Sequence, residues 1–408
     1  METHRYRARW LFPVDAEPIE NGTIEIDSTG RIAARHSRDD PRAEDLGNVA
    51  VIPGLVNAHT HLEFSGLDAP LSSGEPFTDW IRAIVAWRRG GLSNQTADIH
   101  RGLTELAAAG TTLVGEITTA DGSLEQFSTS GPRTVLFREL IGLRPEQREE
   151  QLAIARRHLS QKQVGETDRL LAGLSPHAPY SVHPQLFVEL VDLASSQHAP
   201  LAIHLAETSA ELELLDRGTG PFVELLREFG AWREDMILTG SRPLDYLRRL
   251  EPLQHALVIH GNYLSDEEID FLSVHENLAV VYCPRTHAYF GHRKHPWREL
   301  LASGARVAIG TDSRASNPDL SLWRELCFLR KHSPDVEVQK LLELGTIAGA
   351  RALGLGDETG SLTVGKRSDL TVVSLDVQTG SDPHAVLIND TNRVVGTMCD
   401  GRWIHRSF

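Results

Sequence analysis

Six side chains able to hold a metal or move a proton sit at or just beyond the ends of apolar runs. His59-Thr60-His61 closes the run from Val51 to Ala58. Two histidines two residues apart on an extended segment project to the same side, as a shared metal ion requires. His204 closes Leu201-Ala202-Ile203, and Glu207 follows three residues later. His260 closes Ala256–Ile259, and Asp312 follows Val307-Ala308-Ile309-Gly310-Thr311. Such residues gathered at one point suit a divalent metal and the activation of water. A carboxylate beside that water, here Glu207, suits proton transfer. A buried Asp312 needs a metal, a partner or a helix end to cap. His260 reads as a further ligand or as a hydrogen-bond partner of the water. The second is preferred, because catalytic metals keep open positions.

The elements that must position these residues are strands. Apolar runs recur at Val51–Asn57, Thr112–Glu116, Val135–Phe137, Leu171–Leu174, Leu201–Ile203, Leu257–Ile259, Leu278–Tyr282 and Val307–Ile309, with helical patterns between them. Eight βα units predict an α/β chain built on a (β/α)8 TIM barrel. No GxGxxG follows the first run, which argues against an open dinucleotide-binding sheet. The connection from Ala206 to His255 is long and contains a helical pattern at Phe222–Phe229, so it is expected to act as a partial lid. Both ends read as short strands and turns, including Thr23–Ile26, Ser368–Val373 and Arg393–Met398. Neither end can bury a core alone. The expected organisation is therefore 1–53 and 357–408 as two parts of one small composite β-sandwich, with 54–356 as the metal-dependent barrel.

A formal charge of −15 repels phosphate backbones, so nucleic acid is not an expected partner. Cys283, Cys327 and Cys399 form no CxxC pair and read as free thiols of a reducing compartment. The opening stretch has no apolar signal core, and no run is long enough to span a bilayer. A cytoplasmic protein with no membrane partner is expected.

The stretches PGLVNAHTHLE, IHLAET, VIHGN and IGTDSRASN, with the closing GSLTVGKRSDL, resemble the amidohydrolase superfamily. The closest likeness is to its deaminase and chlorohydrolase branch, which includes adenosylhomocysteine-, aminodeoxyfutalosine- and guanine-type deaminases, cytosine deaminase and triazine hydrolases. The resemblance covers essentially the whole chain. It implies one divalent ion, zinc first and iron second, on His59, His61, His204 and Asp312. It implies that Glu207 shuttles protons, that His260 polarises the water, and that Asp312 helps orient it. Binuclear relatives carry a bridging lysine after strand four; this chain reads Leu174-Ser175-Pro176-His177, so one metal is expected.

The expected substrate contacts are His177, Trp80, Arg138 and Arg285. Trp80 could stack on a flat ring, and an arginine could fork onto a carboxylate. The loop from Trp80 to Arg89 carries no carboxylate where relatives bind ribose, and Trp87-Arg88-Arg89 reads as a solvated helix end. The expected function is deamination of an aminopurine nucleoside derivative, 6-amino-6-deoxyfutalosine or an adenosine type, by attack of metal-bound hydroxide. The alternatives are hydrolysis of another heterocycle (guanine, cytosine, a chlorotriazine or a cyclic amide) and a non-catalytic binding barrel. The expected partner is a small-molecule substrate; a homodimer is left open.

Overall fold

The computed structural model describes residues 3–37, 40–72, 76–90, 94–119, 125–128, 131–160, 169–233, 236–376 and 382–408. Eight parallel strands stand side by side in chain order. They are β1 (Leu55–Thr60), β2 (Thr111–Thr118), β3 (Arg133–Leu140), β4 (Leu170–Pro176), β5 (Leu201–Leu205), β6 (Ala256–His260), β7 (Leu278–Tyr282) and β8 (Arg306–Ile309). The sheet curls until a parallel bridge joins Thr60 to Asp312. Small and branched residues from the strands fill one internal core. Val56, Ala58, Ala202, Ile259 and Ala308 are among them, Phe137 adds an aromatic ring, and Ala350 and Leu353 pack against the same core. The outer strand faces pack against helices in a larger core. Strands buried on both faces read as continuous apolar runs, which explains how eight of them are visible in sequence.

A second sheet is made from both chain ends. Leu370–Ser374 pairs antiparallel with Val49–Pro53, which pairs parallel with His4–Leu11. Ile19–Ile26 and Ile32–His36 extend one side; Arg393–Cys399 and Arg402–Arg406 extend the other. The expected first barrel run, Val51–Asn57, is thus divided between two sheets. Pro53 ends the peripheral strand, and the chain turns at Gly54, where a Cβ would lie 2.0 Å from Thr112 Oγ1. Only a glycine lets the backbone pass that close.

Between β5 and β6, the described residues form the helices Ser209–Arg217, Pro221–Glu228 and Pro243–Leu250. Helix α1 (Phe77–Arg89), after β1, and helix α2 (Pro221–Glu228) flank one cavity. Among the described residues, no helix is long and apolar enough to cross a membrane.

Candidate active site

The C-terminal ends of β1, β5, β6 and β8 bring the metal-capable side chains together. His59 is wholly buried, and His61, His204, His260, Glu207 and Asp312 are nearly so. His61 Nε2 lies 3.4 Å from His204 Nε2. His59 Nε2 lies 3.5 Å from Asp312 Oδ1, and His260 Nε2 lies 3.4 Å from Glu207 Oε1. Ligands about 2.1 Å from a tetrahedral ion stand about 3.4 Å apart. The donor atoms of His59, His61 and Asp312 all fall within 4.8 Å of one another, as do those of His59, His204 and His260.

Orphaned atoms also fit an ion. Both ring nitrogens of His59 are buried with no hydrogen-bond partner among the described residues, and so is His61 Nδ1. Unpaired polar atoms in a dry interior are costly unless something binds them. His204 is turned the right way by its neighbour: its Nδ1 lies 3.1 Å from the His177 carbonyl, which can only accept. The proton therefore sits on Nδ1, and Nε2 faces the cluster with a free lone pair. Burial first, then the neighbouring imidazoles, pushes His61, His204 and His260 well below the ordinary histidine range. Neutral rings are what a metal takes.

The barrel seam fixes these positions. Thr311 and Asp312 donate their backbone N–H groups to the His59 carbonyl at 3.1 Å. Asn57 Nδ2 donates to Thr311 Oγ1 at 2.7 Å, and Asn57 Oδ1 accepts from Thr311 N at 3.1 Å. After His61 the turn is held by Leu62 N–H, which donates to both Glu116 oxygens at 3.0 and 3.1 Å. Ala206, His260 and Asp312 all have positive φ, at 53°, 69° and 56°. Backbone strain in residues that carry a Cβ gathers at the strand ends of this site, where geometry rather than local preference sets the conformation.

Glu207 lines the cavity. Burial raises its carboxyl well above the ordinary range; Asp312 and Glu211 add to that, while a hydrogen bond from Tyr180 opposes it. Ser316 Oγ donates to Asp312 Oδ2 at 2.8 Å. Asn262 Nδ2 donates to the Glu207 carbonyl at 2.9 Å. Tyr180, Ser316 and Asn262 are not among the residues expected from sequence. Asn262 stands in the VIHGN stretch itself, whereas nothing local marks Tyr180.

The cavity above the cluster has a volume of about 320 Å³. His177 and Trp80 line it, as expected. His177 Nδ1 lies 2.6 Å from Ser181 Oγ, and burial, then Arg88, pushes the ring down to about 3. Trp80 uses its indole N–H on the Ala315 carbonyl at 3.1 Å and leaves its ring to the cavity.

The two expected arginines are not on this wall. Arg285 is spent on Asp319 at 2.6 Å and Glu325 at 2.7 Å, tying two helices together. Arg138 follows Phe137, which faces the barrel interior, so alternation turns it to the other face of β3. Its neighbour Glu139 faces the cavity instead. Among the described residues, the arginines lining the cavity are Arg88 and Arg144. Arg88 is not a solvated helix end: its Nη2 lies 2.6 Å from Glu63 Oε1 and 3.9 Å from Glu139 Oε2. Burial raises both of those carboxyls, and Arg88 opposes the rise. The signal is present in the sequence. Trp80, Ile81, Ile84, Val85 and Arg88 form one stripe at helical spacing, and all five line the cavity.

Comparison with known proteins gives the family and relatives that span most of the chain. The chain matches the amidohydrolase family over residues 50–404. It is 29% identical over 337 residues to the aminodeoxyfutalosine deaminase of a Nitratiruptor species, covering 80% of each chain. It is 30% identical over 401 residues to the 5-methylthioadenosine/S-adenosylhomocysteine deaminase of Moorella thermoacetica, covering 93% of this chain and 86% of that one. Its fold superposes on a zinc-bound adenosine deaminase from Xanthomonas campestris with a TM-score of 0.81 and 25% identity, over 99% of this chain and 93% of that one.

Proposed function

This chain belongs to the amidohydrolase family, and we propose that it is a mononuclear, zinc-dependent deaminase of an aminopurine nucleoside derivative. The observation that carries the reading is the buried cluster of His59, His61, His204 and Asp312, with Glu207 and His260 paired beside it. Relatives named as deaminases of adenine nucleosides support the substrate class.

His59, His61, His204 and Asp312 would hold the ion. A divalent metal there supplies the Lewis acidity that lets water give up a proton near neutral pH. His260 and Asp312 orient the water toward the amino-bearing ring carbon. Glu207 takes the water's proton and passes it to the ring nitrogen as the new C–O bond forms. Glu207 then takes up the proton of the newly formed hydroxyl and passes it to the amino group; the C=O bond forms, the C–N bond breaks, and ammonia leaves. Tyr180 favours the ionised form of the Glu207 carboxyl, against burial.

Charge supports a single metal. Glu139, His177 and His204 form another metal-capable trio, but Arg88 stands 3.9 Å from Glu139. A second cation there would face a fixed positive charge and compete for His204. On the substrate side, Arg144 is exposed at the cavity rim. An exposed cation at the rim suits an anionic group on the substrate, the role expected from sequence of Arg138 or Arg285.

The test is ammonia release from a panel of 6-aminopurine nucleosides with neutral and anionic 5′ groups, run beside guanine, cytosine and a chlorotriazine, together with metal analysis. Turnover of the nucleosides with one zinc per chain is expected. Preference for another ring, or two tightly bound ions, would overturn the reading.

A further inference from the structure

The reaction above makes no use of His295, which neither lines the cavity nor joins the cluster. It is 1% exposed and lies just before the helix Trp297–Ser303. Its importance comes from the backbone it touches.

His260 ends β6 with φ at +69°, and Gly261 follows at +62°. Two successive left-handed residues turn the chain sharply, and the first carries a Cβ that disfavours the conformation. A buried carbonyl in such a turn needs a donor. His295 Nε2 lies 2.8 Å from the His260 oxygen. A carbonyl only accepts, so Nε2 must carry the hydrogen. His295 Nδ1 is buried without a partner among the described residues, which leaves it as the bare nitrogen. The ring is clamped by Tyr282, stacked at 4.0 Å and 25°, and Tyr282 is in turn stacked on Trp297 at 6.3 Å. Burial pushes the His295 imidazole down to about 3, which keeps it a neutral single donor. The same turn aims the His260 ring at Glu207, 3.4 Å away, and Asn262, two residues on, holds the Glu207 carbonyl.

We infer that His295 is a positioning residue: by donating Nε2–H to the His260 carbonyl it holds the left-handed turn that points His260 at Glu207. The inference rests on the roles given to His260 and Glu207 above. Its signature is a contact to backbone, so another donor of similar reach can replace it, whereas a ring of similar size cannot.

His295→Phe keeps the stack on Tyr282 and removes the donor; His295→Gln keeps a donor. With a 6-aminopurine nucleoside as substrate, His295→Phe should lower kcat at least about tenfold while KM stays within about twofold. Metal content should match wild type, and His295→Gln should recover most of the lost kcat. Unchanged kcat in His295→Phe, or equal loss in both variants, would overturn the inference and leave His295 a packing residue. A second measurement needs no folded Phe variant and no substrate. In ¹⁵N-histidine NMR of the metal-loaded wild type, the resonance lost in His295→Gln should report the Nε2–H tautomer. An Nδ1–H tautomer would overturn the contact. If no aminopurine nucleoside is turned over, the proposed function fails while the tautomer still decides the contact.

Discussion

The floor of the cavity and its outer wall are built by different means. The floor comes from strand ends. His59, Asp312, His204 and His260 are each fixed by backbone pairing across neighbouring strands or across the seam. The wall comes from α1, α2 and the turn after β3, which contribute Trp80, Arg88, Leu225 and Arg144. Floor side chains are nearly or wholly buried and neutral or paired; on the wall, Arg88 keeps a third of its side chain exposed. A site divided this way keeps its chemistry constant in a rigid sheet while the wall sets what is admitted. Substitutions in the floor should abolish turnover, and substitutions in the wall should change preference.

The largest effect tests the floor. His61→Ala should remove metal and activity together, read by metal analysis and ammonia release. Glu207→Gln should separate the two: metal stays, because Glu207 lies outside the ligand set, and turnover falls by at least about a hundredfold, as general acid–base groups contribute. Near-normal turnover in Glu207→Gln would move the proton carrier elsewhere, with His260 the nearest candidate.

The same division explains what the sequence makes legible. Strand ends carry period-two geometry and apolar runs, so His59, His61, His204, His260, Asp312 and Glu207 are all recognisable, and the structure brings them together. The wall is harder to read. At Arg138 the strand is buried on both faces, which hides its phase. Nothing in Val135-Leu136-Phe137 says which of Arg138 and Glu139 enters the barrel. Arg285 misleads because its acidic partners, Asp319 and Glu325, lie more than thirty residues away. Arg88 is the avoidable error, since its place on the α1 stripe is readable.

The wall is tested next by two arginines that should behave differently. Arg144→Met should lower kcat/KM for a 5′-anionic nucleoside by about fivefold to tenfold, the low end for a charge-assisted contact at an exposed rim, and leave adenosine unaffected. Arg88→Met should do something else. It leaves Glu63, 4% exposed, with Thr119 as its remaining hydrogen-bond partner, so thermal unfolding should register a loss of about 1–3 kcal/mol. If Arg144→Met destabilises the fold while Arg88→Met changes only substrate preference, the two roles are reversed.

An effect on stability alone, read only against pH, falls where the floor meets the connection between β5 and β6. Glu211 is wholly buried just after β5 and accepts the backbone N–H of Ala206 at 2.9 Å and of Glu207 at 2.8 Å. Burial raises its carboxyl to about 7, against the three backbone hydrogen bonds that pull it down. An unfolded chain ionises the same group near 4.5. Below pH 4.5 both states hold the proton, and Glu211 contributes no pH dependence. Between 4.5 and 7 the unfolded state has released a proton that the folded state keeps, so stability falls as pH rises, by at most about 1.4 kcal/mol per pH unit. Above 7 both states are ionised and the loss is complete. Glu211→Gln cannot ionise, and its amide offers one oxygen where two N–H groups need acceptors. The variant should therefore be less stable than wild type overall, yet its stability should change less between pH 4.5 and 7. Denaturant midpoints across that range check it. Parallel profiles for the two proteins would mean that Glu211 keeps its charge on burial, held by the backbone at the base of the Glu207 turn.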